Sequence, residues 1–278
     1  MTRSGESASI PSGTGVHRVG RAATLLIVIQ FAVCAAVTCG EEVIPRELHA
    51  WGRFEPGATK TERTTAQSFG LAGDVEAAST TERRTTLVAV DEESYTLRVE
   101  TTIEAAGKTV NSETTITRGY DDQERSSDGR GEHRLIAAGT AAIVIDQLSY
   151  PCNVYESIST DQVERRVSRL FYGAQPPNLL KVETTHVPLA GGAPSLTSYD
   201  VFSLDMPWRV GAETYAGAHV RIVRRHPKGS VVTWSIVVPD LPGGVVSSSS
   251  KELDASGRLL NRSTLELIDY DVPGDAGE

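Results

Sequence analysis

Cysteine is scarce in this chain, with three among 278 residues. Cys34 and Cys39 lie in or beside an apolar stretch near the N-terminus, so Cys152 is the one thiol certain to belong to the folded body. A single thiol cannot build a disulfide framework, so the fold must rest on its hydrophobic core. The sequence around Cys152, SYPCNVYES, offers no adjacent base to activate a nucleophile, and we expect a small buried side chain there.

The residue spacings that hold metal ions, phosphates and dinucleotides are absent. There is no CxxC pair, no HExxH, and neither GxxxxGK(S/T) nor GxGxxG. We therefore predict no metal site and no cofactor. An acidic segment containing Asp121, Asp122, Glu124 and Asp128 lacks the regular spacing and closing glutamate of a calcium loop, so a solvated loop is expected there.

Signatures of nucleophilic catalysis are missing as well. No GxSxG elbow occurs. Ser248 and Lys251 have SxxK spacing, but they sit in a serine-rich strand pattern, where positions three apart face opposite sides. We predict no catalytic residue and a protein that is not an enzyme. A hydrolase built on two carboxylates from distant parts of the chain remains an alternative, because glycosidases need only such a pair.

Positive charge is in short supply. The net charge is −9, and residues 41–278 carry −11, because residues 1–40 hold three arginines against one glutamate. Phosphate backbones require a basic footprint, so no nucleic-acid partner is expected. An acidic body also gains no attraction to anionic lipids, which leaves the N-terminal segment as the only expected contact with a membrane.

The N-terminal segment, residues 1–40, has the pattern of an export signal. Arg18 and Arg21 precede the apolar stretch 23–37, which is short for a spanning helix of ~20 residues and is followed by small residues. Cleavage after Ala36 or Gly40 would release the mature chain. Two alternatives remain open: lipidation of Cys39 and an uncleaved anchor.

The body of the chain is predicted to be a series of β-hairpins. LRVETT at 97–102 and LKVETT at 180–185 alternate apolar and polar residues, as half-buried strands do. Short glycine-containing turns separate such stretches, and glycine suits them because tight hairpins need a positive φ. The turn glycines are Gly73, Gly107, Gly191 and Gly257.

Short turns join neighbouring strands, so the expected fold is mostly β, an antiparallel meander forming a large curved sheet (a half-barrel) or a sandwich. Strand 247–252, polar on both faces, is expected at an edge or on a solvent-facing sheet, and the tryptophans are expected to pack in the core. After the N-terminal segment, the predicted regions are a hairpin region at 41–120, a polar loop at 121–132, a β region at 133–270 with two candidate related units (152–205 and 218–271), and a disordered tail at 271–278.

An export signal, long antiparallel strands, and turns such as LDASGRL at 253–259 together resemble the uncharacterised exported β-rich proteins of bacterial envelopes. The outline is also similar to the half-barrel of lipoprotein carriers. That architectural resemblance implies a concave sheet that holds acyl chains.

Three functions follow from these observations. The first is an exported, non-enzymatic cell-envelope protein, in the periplasm or at the cell surface and anchored or free at its N-terminus, that acts as a binding or scaffold module for an envelope protein. The second is a carrier of a lipid or other apolar ligand in a half-barrel. The third is the carboxylate-pair hydrolase.

Overall fold

The computed structural model of the chain describes residues 43–123 and 132–274. The N-terminal segment with Cys39, positions 124–131 of the polar loop, and the last four residues of the tail lie outside the described residues. Within the described ranges, no helix has the length and apolar character needed to cross a membrane.

Thirteen antiparallel strands form one open sheet, and the only helix in the described ranges is a short 3-10 turn, Arg46–Leu48. The strands are β1 Thr59–Phe69, β2 Val75–Val90, β3 Ser94–Ala105, β4 Lys108–Gly119, β5 Glu132–Ile145, β6 Leu148–Thr160, β7 Glu164–Gly173, β8 Leu179–Pro188, β9 Ser195–Val210, β10 Glu213–His226, β11 Gly229–Val237, β12 Val245–Asp254 and β13 Leu259–Asp271. The predicted meander is confirmed, as a single curved sheet rather than a sandwich.

The strand order places β4 and β5, which are consecutive in the chain, at opposite edges of the sheet. The order runs β4-β3-β2-β1-β13-β12-β11-β10-β9-β8-β7-β6-β5. β1 therefore pairs with the last strand, β13, and the chain must pass from one edge to the other between β4 and β5. The serine-rich β12 lies in the middle of this order, which excludes the edge position and leaves the other expected placement, a solvent-facing sheet. Its hydrogen-bonding partners, β11 and β13, satisfy its backbone whatever the polarity of its side chains.

The main core cluster shows why the sheet is curved. Leu87 and Leu97, from β2 and β3, belong to the same buried cluster as Leu135 and Leu170, from β5 and β7. These strands lie near opposite edges of the sheet, so only a strongly curved sheet brings their side chains together.

A chain segment before the first strand fills much of the concave side. Residues 43–58, called the plug here, contribute Ile44, Trp51, Phe54 and Ala58 to the main cluster. The edge-to-edge connection adds a second filling segment, residues 120–123, called the crossing segment. Its Tyr120 is buried, with the hydroxyl donating to the carbonyls of Asp91 and Ser94.

The two sides of the sheet differ in polarity along β13. Leu265 and Leu267 are partly buried on the concave side, whereas Thr264 and Glu266 are exposed on the outer side. This period-two alternation is what a sheet covered on one face requires.

Candidate functional site

Asp122 of the crossing segment lies between the plug and β3. His49 Nε2 donates to its Oδ1 at 3.1 Å, and the Tyr95 hydroxyl donates to the same oxygen at 2.7 Å. The backbone N–H of Trp51 donates to His49 Nδ1, so this nitrogen is an acceptor and the proton of the neutral ring sits on Nε2. Asp122 thus receives two hydrogen bonds on one oxygen, and no described residue is bonded to its Oδ2.

The Asp122 carboxylate is accessible to solvent. Its side chain is 58% exposed, and Asp122 is one of the residues that line the cavity described next. Burial alone would raise the pKa of this group. The interactions with His49, Tyr95 and Arg118 outweigh that effect and lower the pKa to about 2. Asp122 is therefore ionised throughout the neutral range.

The space that Asp122 faces is called the inner cavity here. It has a volume of about 170 Å³ and lies between the plug, the crossing segment, and strands β8, β9 and β11 with the loops beside them. Its lining residues are Leu48, His49, Ala50, Arg53, Asp122, Tyr172, Pro177, Asn178, Leu179, Tyr199, Val237, Pro239, Gly243, Gly244 and Val245.

Arg53 and Tyr199 bring further polar groups to the inner cavity. Arg53 donates to the Asn178 side-chain oxygen at 2.7 Å and to the Pro239 carbonyl at 3.4 Å, but its buried Nε has no partner. Desolvation lowers the pKa of Arg53, and Asp240 acts in the opposite direction. The Tyr199 hydroxyl has no bond to any described residue, and burial raises its pKa.

A serine, a histidine and an aspartate meet beside β6, but not as a catalytic triad. Asp121 Oδ2 lies 2.6 Å from His133 Nε2 and accepts a 2.7 Å hydrogen bond from the Ser157 hydroxyl. Ser157 lies 3.4 Å from the same His133 nitrogen. A triad needs serine and carboxylate on opposite ring nitrogens, so that imidazole can accept the serine proton. Here the Ser157 hydroxyl donates its hydrogen bond to Asp121 itself, and the side chains of Ser157 and Asp121 are both buried.

Asp121 also corrects an expectation from the sequence. The polar segment from residue 121 was expected to be solvated, yet Asp121 is only 4% exposed. Its environment compensates for burial, because Ser157 and His133 supply hydrogen bonds to the carboxylate.

A second, more open pocket lies beside the turn between β2 and β3. Its volume is about 620 Å³, and its lining includes Asp91, Glu92 and Glu93. Asp91 is committed to the turn, since it accepts hydrogen bonds from the backbone of Glu93 and Ser94. No group of three or more His, Cys, Asp or Glu side chains in residues 43–123 and 132–274 is placed to hold a metal ion.

Three aromatic rings form an exposed patch on the outer side of the sheet. Phe202, His219 and Trp234 lie on β9, β10 and β11. The Phe202 and Trp234 rings meet edge to face, with centroids 5.2 Å apart, and Phe202 lies 5.7 Å from His219. Trp234 is 48% exposed and Phe202 is 41% exposed. This cluster is called the outer aromatic patch.

Sequence reasoning missed this patch because it expected each tryptophan to pack in the core. Trp51 is buried, but Trp234 shares the outer face with Ser249 and Thr264 through the register of β11, β12 and β13. The sequence signal that could have revealed the patch is the alternation in VVTWSIVV, which places the Trp234 and Ser235 side chains on opposite faces of the strand. The sequence alone did not show which of those faces is solvated.

The turn glycines, Cys152, Ser248 and Lys251 lie outside both the inner cavity and the outer aromatic patch, whereas Asp122 of the acidic segment lines the inner cavity. All four turn glycines have positive φ: 82° for Gly73, 71° for Gly107, 85° for Gly191 and 86° for Gly257. Each lies between the two strands of a hairpin. Cys152 is a free buried thiol whose pKa is raised by desolvation. Ser248 and Lys251 lie on β12.

No protein-family model and no curated protein matches this chain. Two solved structures show a distant similarity to this chain. One is a "putative lipoprotein" from Parabacteroides distasonis, with a TM-score of 0.32 and 8% identity, covering 78% of this chain and 96% of the other. The other is a "putative exported protein with YmcC-like fold" from Bacteroides fragilis, with a TM-score of 0.30 and 10% identity, covering 78% and 97%. At this distance, no residue role passes from either protein to this chain.

Proposed function

We propose that the chain is an exported, non-enzymatic binding module of the bacterial cell envelope, and that it recognises an envelope protein through the outer aromatic patch. The observation that carries the proposal is the exposure of Trp234 and Phe202 together on a solvated sheet face. Tryptophan is strongly enriched among residues that dominate protein–protein binding energy. An exposed aromatic cluster on a solvated sheet face is a candidate interaction surface.

Export is supported by the sequence of the N-terminal segment, in which Arg18 and Arg21 precede a short apolar stretch. The acidic body is compatible with a soluble exported domain. Whether the segment is cleaved, lipidated at Cys39 or retained as an anchor decides between free and membrane-attached forms, and the binding proposal holds for each.

The two alternative functions have less support. An apolar carrier needs an open concave surface, and the plug occupies much of that side with Ile44, Trp51 and Phe54. A carboxylate-pair hydrolase needs two carboxylates that face one cleft, whereas Asp122 is the only carboxylate among the residues that line the inner cavity.

The test is site-specific photo-crosslinking in intact cells of the source bacterium. A photoreactive phenylalanine analogue replaces Trp234 in the full-length exported chain. The matched control carries the analogue at Thr264, which is exposed on the same outer face. We expect one discrete envelope-protein adduct from position 234 and none from position 264.

Binding to the identified protein is then measured with purified components. Phe202→Ala should weaken the affinity at least tenfold, because truncation of a central aromatic residue typically costs more than ~1.4 kcal/mol at a binding hot spot. Equal crosslinking from both positions, or unchanged affinity for Phe202→Ala, would rule out the patch as the recognition surface.

A further inference from the structure

We infer that the inner cavity is a binding site for a small zwitterion of amino-acid size, with the ligand ammonium at Asp122 and its anionic group at Arg53. The inference is independent of the outer aromatic patch. It rests on the polar groups of the cavity that have no partner among the described residues, and on the presence of one carboxylate and one guanidinium among the residues that line it.

Asp122 supplies the negative side of the site. His49 and Tyr95 both bond to Oδ1, so Oδ2 remains available to an ammonium group. Both donors are neutral groups, because His49 uses Nδ1 as an acceptor and a phenol carries no charge. Within the described residues the carboxylate has no ion pair other than its contact with His49. Arg118 acts on it electrostatically without forming an ion pair, so Oδ2 has no cationic partner in direct contact.

Arg53 supplies the positive side. Its hydrogen bonds go to neutral acceptors, namely the Asn178 side-chain oxygen and the backbone carbonyls of Pro239 and Glu47, and its Nε is buried without a partner. Asp240 attracts the guanidinium, but the two groups form no ion pair in the part of the chain that the structure describes. A ligand carboxylate or phosphate would give this guanidinium the charged partner that it lacks.

The tyrosines and the size of the cavity restrict the ligand further. Tyr199 places an unpaired hydroxyl at the cavity, and Tyr172, whose own hydroxyl donates to the Tyr120 carbonyl, adds a second ring to the lining. Ring faces are compatible with an ammonium group. A volume of about 170 Å³ holds five or six waters at ~30 Å³ each, which suits an amino acid rather than a lipid chain.

Saturation-transfer NMR on the purified body of the chain tests this assignment, because it detects weak ligands. Two probes carry both charges: alanine, with a carboxylate, and O-phosphoethanolamine, with a phosphate. Ethylamine and acetate each carry one charge. We expect saturation transfer to at least one zwitterion and a signal at least fivefold weaker for both single-charge probes. The preferred zwitterion distinguishes a carboxylate ligand from a phosphate ligand.

Variants then locate the binding. Tyr199→Phe removes one cavity hydroxyl while keeping the ring, and Asp122→Asn removes the charge. Each should reduce transfer to the bound zwitterion at least fivefold, whereas Asp269→Asn, at an exposed position on β13, should leave it unchanged. Circular dichroism establishes that each variant is folded.

Three outcomes of these NMR experiments would contradict the inference. Absence of transfer to both zwitterions in the parent protein would overturn the inference. Transfer to ethylamine as strong as to alanine would remove the role of Arg53. A signal that survives in folded Asp122→Asn and Tyr199→Phe would place binding elsewhere.

Discussion

Two neighbouring charge pairs between β1 and β2 differ in burial and in the number of cations that contact the carboxylate. Glu62 pairs with Arg83 across the strands at 2.8 Å, and the next position reverses the charges, with Arg63 facing Glu82 at 3.2 Å. Glu62 is 2% exposed and also accepts a 2.6 Å hydrogen bond from Lys60, whereas Glu82 is 48% exposed. The pairs therefore form a natural comparison of a buried with a solvated ion pair.

Replacing Glu62 by glutamine should lower the free energy of unfolding by roughly 3–5 kcal/mol, because Lys60 would remain buried without a counter-charge. The same change at Glu82 should cost less than about 1 kcal/mol, since solvent screens that pair. Urea denaturation measures both. Equal losses for the two variants would mean that the buried network contributes no more than a surface pair.

The lowered pKa of Asp122 predicts that the stability of the fold decreases in acid. Its pKa in the fold is about 2, below the usual 3.8, so its contribution to stability is complete above pH 4 and disappears as the pH falls through about 2. The difference in unfolding free energy between the parent protein and Asp122→Asn should therefore shrink between pH 4 and pH 2. Denaturant titrations at several pH values test this. A constant difference across that range would contradict the pKa shift.

At the scale of elements, the β5–β6 turn has two successive positive φ values but no glycine. Asp146 and Gln147 join β5 to β6 with φ of 48° and 66°, whereas Ala106 and Gly107 hold the equivalent positions between β3 and β4 with 48° and 71°. Two positive φ values in succession are the requirement of a type I′ turn, for which Asp-Gly is a preferred sequence. The β5–β6 turn therefore carries strain at Gln147.

Gln147→Gly should raise the free energy of unfolding by about 0.5–1 kcal/mol, because relief of the left-handed backbone cost exceeds the added entropy of glycine. Gly107→Ala should lower it by about 1 kcal/mol for the opposite reason. Urea midpoints report both changes. A loss of stability in Gln147→Gly would show that the turn is not strained.

At the scale of the whole molecule, the plug ties distant strands together. Trp51 packs in the main cluster, Lys60 Nζ lies 5.8 Å from the centroid of its ring, and Gly243 approaches the indole closely enough that a Cβ there would lie 2.8 Å from it. Loss of this side chain removes packing between the plug and the concave side of the sheet.

Trp51→Ala should therefore destabilise the fold by about 3–5 kcal/mol. Trp234→Ala is the matched control, and should cost about 1 kcal/mol or less because that indole is half exposed on the outer side. Thermal and urea unfolding of the two variants measure the contrast. Similar losses for both would show that the plug does not contribute to the stability of the sheet.

The fold was largely predictable from local pattern, and the candidate sites were not. Period two in LRVETT and the glycine at 107 determine a hairpin from adjacent residues alone, since both depend on neighbouring backbone conformation. The turn at Asp146 and Gln147 was not predicted from the sequence because it contains no glycine. Val167, Leu170 and Phe171 have the spacing of one helical face, yet they lie on strand β7, because pairing with β6 and β8 determines the conformation of a short amphipathic stretch.

What the sequence determined by itself is the set of strands, their antiparallel sense and the acidic, motif-poor character of the chain, because these depend on residues close together. Strand order, curvature and the filling of the concave side were decided by tertiary structure. Asp122 meets His49 across 73 residues, and the solvated face of Trp234 depends on the register of three strands. Long-range pairing and burial select among alternatives that local sequence leaves equal in energy, so the inner cavity and the outer aromatic patch exist only in the folded chain.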